Sequence, residues 1–263
     1  MTKTNFVSAA TSRKYCLQKQ PVDSRDFIYH RTDKAAIVPS SVDLRDTGLV
    51  PPILDQGQLG SCTANASANC LHYLLKKENV HEFSPSRLFI YYYTRVAIEH
   101  TSPREDSGAN IRDVCRAIAS YHVCDERVWP YYVSKFSTHP SATAVRNANI
   151  HKQLKYVSVP QDLVHLKACL ASGFPIFFGM DIYESFESDE VAQTGIIPMP
   201  DTENEQLLGG HCTSLWGYDD KTQCFLGMNS WGSGWGAGGY FHIPYDLILS
   251  NIASDFWSFS LFD

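Results

Sequence analysis

From Cys62 to about residue 160, apolar positions recur at helical spacing. Ala66, Cys70, Tyr73 and Leu74 form one stripe, and Ile111, Val114, Cys115, Ile118 and Ala119 form a second. Ser84-Pro85 reads as a cap followed by a first-turn proline, opening a helix over 87–98. A further helix, with Leu163, Leu166 and Leu170 as its ridge, ends near Gly173. Beyond it the texture changes to short apolar and aromatic runs, at 175–180, 213–216, 224–228 and 240–243, separated by glycine and proline. These predict antiparallel strands in a barrel-like half. The first forty residues are polar and aperiodic and predict an arm. The pattern gives an α+β chain in three stretches: an arm at 1–40, a helical lobe at 41–160 and a β lobe at 161–263.

The candidate chemistry sits where these textures meet. Gln56-Gly57-Gln58-Leu59-Gly60-Ser61-Cys62 is a glycine-rich turn running into a helix, so a thiol heads that helix. Unpaired N–H groups at a helix start favour an ionised sulfur, which is the nucleophilic form. Far along the chain, His211 opens a strand-like run and Asn229 precedes Trp231. Thiol, imidazole and amide make a catalytic set in which sulfur attacks a carbonyl, the ring moves the proton, and the amide orients the ring. Gln56, with the Cys62 backbone N–H, can meet the oxygen of the tetrahedral intermediate. Cys62 belongs to the helical half and His211 and Asn229 to the strand half, so the set assembles across a cleft between them.

These motifs, with Asn229-Ser230-Trp231-Gly232-Ser233-Gly234-Trp235-Gly236, stand in the order of the papain family of cysteine peptidases, which the chain resembles over roughly residues 40–260. The resemblance implies a two-lobed fold with Cys62 as nucleophile, His211 as general base and acid, Asn229 as orienter and Gln56 as oxyanion donor. It implies that Trp231 shields the His–Asn hydrogen bond and that Gly108 and Ala109 pair with an extended polypeptide substrate. Asn110, Ile111, Gly209 and Cys212 then border the main specificity pocket, with Ser254 at its floor, and their small or apolar character suits an apolar substrate side chain. Two departures mark a disulfide-poor, microbial type: Leu59 and Asp106 stand where the family carries a bonded cysteine pair. The arm is too short for the family's helical prodomain, which leaves either a short pro-segment filling the cleft, as in a zymogen, or a permanent strap. Cys16 within it would close the cleft as a disulfide if it reached Cys62.

Composition excludes other classes. The net charge of −6, with no basic stripe, argues against nucleic acid as a partner. No apolar run of about 18 residues crosses a membrane, and no secretory h-region opens the chain, so a reducing compartment or a non-classical export route is expected. Eight cysteines include no Cys-x-x-Cys pair, and Cys70, Cys115 and Cys169 fall on apolar helix faces as buried thiols. Histidines 72, 81, 100, 122, 139, 151, 165 and 242 lack metal-ligand spacing, so no metal and no cofactor is expected. Glu184, Glu187, Asp189 and Glu190 read as a solvated rim. The functional expectation is thiol-dependent proteolysis by an endopeptidase held latent by its arm. A related acyl-transferase or deamidase, and a non-catalytic peptide binder, are the alternatives.

Overall fold

The computed structural model describes residues 13–30 and 38–262. Helix α1, Cys62–Lys77, is the axis of the molecule: its residues are buried from Cys62 to Leu75. Three small residues, Ala64, Ala66 and Ala68, let neighbours approach its first half closely, while Leu71, Leu74 and Leu75 fill the core along its second. Around it stand α2, Arg87–Tyr93, which continues as a π turn over Thr94–Ile98, and α3, Ile111–Tyr121. The cap of α2 is Ser86, whose hydroxyl accepts from the Phe89 N–H at 3.3 Å, two residues beyond the Ser84 expected from sequence. Asn110 caps α3 by accepting from Asp113 N–H at 2.9 Å. The buried faces of α3 are Ile111, Val114, Cys115, Ala117 and Ile118, close to the predicted stripe. Helix α4 covers Ala142–Asn147, α5 Leu163–Ala171, α6 Asp189–Thr194 and α7 Tyr245–Leu249.

Among the described residues seven strands make one antiparallel sheet: β1 Ser41–Asp43, β2 Gln153–Ser158, β3 Ile176–Tyr183, β4 Leu207–Asp219, β5 Cys224–Met228, β6 Tyr240–Pro244 and β7 Ala253–Phe262. The order is β2-β7-β3-β4-β5-β6, with β1 pairing the end of β4, so the sheet is open rather than closed. Strand β4 is long because it serves two partners on one edge, β3 over its first part and β1 over Gly217–Asp219. The sheet therefore draws β1 and β2 from residues before 160, and a single continuous core joins it to the helices. Strand β3 is buried from Ile176 to Met180, which explains its unbroken apolar run. The register sets Gly179 opposite Cys212 and Met180 opposite His211, which fixes the height at which the imidazole leaves the sheet.

Candidate active site

Cys62 is the first residue of α1 and is fully buried. Ser61 occupies the cap position but makes no capping bond, because its hydroxyl turns to Tyr131 at 2.5 Å and to the Asn65 amide at 3.0 Å. The first N–H groups of the helix thus stay free of a side-chain cap, and their positive end faces the sulfur. Backbone N–H groups of Cys212, Thr63 and Cys62 itself bear on the thiol. The Cys212 N–H places it beside the strand residue that follows His211.

The loop before the helix is tied to the loop carrying Asn229. Gln56 N–H donates to Ser230 O at 2.9 Å, and the Ser230 hydroxyl donates to Gln56 Oε1 at 2.6 Å. Gln56 Nε2 donates to Leu59 O at 3.1 Å, leaving its second N–H unassigned. Arg87 braces the same loop from behind, donating to Asp55 O at 2.9 Å and Asn65 Oδ1 at 3.1 Å while paired with Glu126 at 2.6 Å. Asp106 performs the task of the absent cystine. Its carboxylate accepts from Gly60 N–H at 3.1 Å and from the Tyr91 hydroxyl at 2.6 Å, joining the two loops that a disulfide would join.

His211 stands on β4, fully buried, with Nε2 donating to Asn229 Oδ1 at 2.9 Å. The same oxygen accepts from Ser230 N–H at 2.9 Å, which fixes the orientation of the amide. Nδ1 is therefore the unprotonated nitrogen of the neutral ring, and it has no hydrogen-bond partner. Trp231 lies 5.0 Å from the imidazole, tilted by 30°, over the His–Asn pair. No hydrogen bond joins Cys62 Sγ to Nδ1 in this form. Burial pushes the thiol up to about 12, outweighing the backbone N–H groups that lower it. It also holds the imidazole down at about 4, against the opposing pull of Asn229. Both directions favour thiol and neutral ring over the ionised sulfur expected at the helix start.

The burial has a visible source, because the arm lies in the cleft. Cys16 bridges to Gly210, Leu17 N–H donates to Gly210 O at 3.0 Å, and Gln18 Nε2 donates to Ser107 O at 3.1 Å. Tyr15 meets His211 edge-on, with ring centres 6.0 Å apart. A β-carbon on Gly108 would fall 1.8 Å from Cys16 O, and one on Gly209 would fall 2.7 Å from Tyr15 O. Both residues have positive φ, +71° and +138°, so glycine is required there on two counts. The Leu17 side chain enters a niche at Gly179, where Ser254 O and Ile111 Cδ1 also approach. Farther along, residues 27–29 pair with Ser158 at the outer edge of β2, and Asp26 clamps Arg112 at 2.5 Å.

Cys62, His211, Asn229, Gln56, Trp231, Gly108, Gly209 and Ile111 therefore converge on one cleft. Asn110 does not present its side chain there, because its amide is spent on Asp113 and Glu99. Cys212 is fully buried opposite Gly179 in the sheet, with Cys62, Cys70 and Cys115 among the groups around it. All eight cysteines are free thiols, Cys16 included. The acidic rim is more than a rim: Glu187 accepts from Arg13 at 2.5 Å and from the Tyr15 hydroxyl. Among the described residues no cluster of His, Cys, Asp or Glu has the makings of a metal site, and no helix is long and apolar enough to cross a membrane. Sequence reasoning missed Glu187, Asp106 as a tie, and Gly179. Only Asp106 left a trace, in the paired loss of both cysteines.

Residues 38–257 match the family described as papain family cysteine protease. An uncharacterised peptidase C1-like protein of Acanthamoeba polyphaga mimivirus is 42% identical over 237 residues, covering 85% of this chain and 75% of its own. Mouse procathepsin L is 29% identical over 218 residues, covering 80% of this chain, which spans 61% of the procathepsin's length. The crystal structure of xylellain, a cysteine protease from Xylella fastidiosa, superposes with a TM-score of 0.86 at 38% identity, covering 95% of this chain and 96% of that one. With the thiol at the helix start, the imidazole on the facing strand and this agreement over nearly the whole length, the chain belongs to the papain family of cysteine proteases.

Proposed function

We propose that the protein is a thiol endopeptidase that works through a thioester acyl-enzyme and is latent while its arm fills the cleft. The observation that carries the reading is His211: Asn229 fixes its Nε2 hydrogen, its buried Nδ1 lone pair is left unpaired, and the backbone N–H of the next residue, Cys212, bears on the Cys62 thiol. In the open enzyme Nδ1 takes the Cys62 proton, Sγ bonds to the substrate carbonyl carbon, and the oxyanion is met by Gln56 Nε2–H and the Cys62 N–H. As the C–N bond breaks, the imidazolium gives the proton to the leaving amine. Water then attacks the thioester, returns a proton to the ring, and releases the acid and the thiolate. Trp231 excludes water from the His–Asn bond, and Gly108-Ala109 offers backbone to an extended polypeptide.

Latency rests on the occupancy of that cleft and on the direction of the arm. The imidazole protonates the leaving amine, so Tyr15 and Arg13, beside His211 and Trp231, lie on the leaving-group side, and Leu17 lies on the acyl side. A substrate enters with its N-terminal residues on the acyl side. The arm runs the opposite way, so its peptide bonds are presented reversed and resist cleavage. Intact-mass measurement of the full chain with an epoxide thiol inactivator tests the reading. A single adduct at Cys62, lost in Cys62→Ala and slow until the arm is displaced, is expected; no adduct at Cys62 under any condition overturns it.

A further inference from the structure

Glu187 and the outer face of Trp231, the face turned away from the His–Asn bond, form a built surface beside the catalytic set. Trp231 is held from behind by Phe186 and Trp235, at ring-centre distances of 5.5 and 5.1 Å, so its outer face is fixed in place. Glu187 ends the short 3-10 turn that follows β3 and raises its carboxylate beside that face. Arg13 fits both: its guanidinium carbon lies 3.9 Å over the Trp231 ring, and Nη1 is 2.5 Å from Glu187 Oε2. Tyr15 donates to the other carboxylate oxygen. An aromatic face with a carboxylate at its rim is complementary to a planar or extended cation, through cation–π attraction and a charge-assisted hydrogen bond. The arm supplies that cation in the covered form.

We propose that Trp231 and Glu187 constitute a cation subsite on the leaving-group side of the cleft, selecting substrates with arginine or lysine at the first or second residue after the cut bond. The assignment rests on the peptidase reading above. Arg13 fills the subsite in the covered chain, so a basic substrate competes for the same two groups that hold the arm. The opposite side of the cleft, where Leu17 sits, takes an apolar residue, and the preferred substrate is apolar before the cut and basic after it.

The test uses the full chain carrying Arg13→Ala, Tyr15→Ala and Leu17→Asp, which unseats the arm and vacates the subsite without touching the catalytic set. Quenched fluorescent peptides would differ only at the first or second residue after the cut, bearing arginine, lysine, citrulline or glutamate. We expect kcat/KM for arginine to exceed that for citrulline by about tenfold or more, the scale of one charged hydrogen bond. Glu187→Gln should bring that ratio toward one, chiefly by lowering the rate for the arginine peptide. Glu187→Lys should turn the preference toward glutamate, a reversal that loss of local structure would not produce. Equal rates for arginine and citrulline, or a ratio that survives Glu187→Gln, overturn the subsite and leave the peptidase reading standing. Failure to cut any peptide, with Cys62 still alkylated, overturns the peptidase reading and the subsite with it.

Discussion

The arm should control the ionisation of Cys62, and the perturbation that isolates this is Leu17→Asp in the full chain. Leu17 seats the arm beside Gly179 and Ile111, and a carboxylate there must be desolvated, which favours release. In the covered form burial holds the thiol up at about 12, so at pH 7 about one molecule in 10⁵ carries a thiolate. A free thiol near 8.5 would carry about one in thirty, and an imidazolium and a helix start would raise this further. Release should therefore speed alkylation of Cys62 by iodoacetamide about three-thousandfold or more at pH 7. Burial holds the thiol in its protonated form, so the covered rate should climb about tenfold per pH unit through pH 10 without a plateau. The released rate should level off near neutrality, as a thiolate–imidazolium pair forms. Peptide mapping separates Cys62 from Cys16, and half-buried Cys224 serves as an internal reference. If the unaltered chain already alkylates at Cys62 at pH 7 as fast as Leu17→Asp, the arm does not govern the nucleophile.

Other outcomes follow from the groups that shape the cleft. Glu99 holds the Asn110 N–H at 2.9 Å, but its buried Oε2 has no partner, and burial raises the carboxyl to about 7. The folded state thus binds this proton more tightly than the unfolded one, so stability falls as pH rises from about 4.5 to 7. Glu99→Gln should be more stable to urea at pH 8, by about 1–2 kcal/mol after discounting for solvent, and unchanged at pH 4; an equal effect at both would refute this. Arg95 is fully buried and donates to the Pro103, Glu105 and Phe136 carbonyls. Arg95→Met should cost about 3–5 kcal/mol in urea unfolding, because those carbonyls lose their donor. Gln56→Ala should lower kcat by about 10²–10³ with the fold intact by circular dichroism. Cys62→Ala should abolish turnover, with Asn229→Ala reducing it less.

The candidate site was legible because its residues are local signatures: a thiol after a glycine turn, a histidine on a strand, an amide near an indole. Strands β3 to β6 were likewise visible as apolar runs. Strand β7 was not picked out, although Trp257, Phe259 and Leu261 alternate with serines, and neither were β1 and β2, which become strands only by pairing with distant edges. The misplaced cap of α2 has a physical reason: Ser86 both caps Phe89 and donates to Trp129 O at 2.7 Å, a contact set by the tertiary fold. The ionised sulfur expected at the helix start is opposed in the covered cleft for a similar reason. Helix position argues for a thiolate, but desolvation depends on what covers the helix end, and the cover comes from residues 15–17, far upstream in the chain.

The construction of the arm suits the latency proposed above. Its cleft portion is held by ion pairs that retain water: Lys14–Asp106 with the lysine 48% exposed, Lys19–Asp181 with the lysine 51% exposed, and Arg13–Glu187 at 25% and 29%. Pairs of this kind contribute about 0–1 kcal/mol each and weaken with salt. The downstream portion is different. Arg112–Asp26 is only 13% and 14% exposed, and residues 27–29 add backbone bonds at β2. The latency proposed above thus assigns the anchor to the downstream end and the release to the cleft end, where water-exposed pairs stand beside the Leu17–Gly210 backbone bond. A plug tethered in this way returns at high effective concentration, so uncovering the cleft without removing the arm gives a reversible opening, whereas cutting the chain between the plug and the anchor makes it permanent.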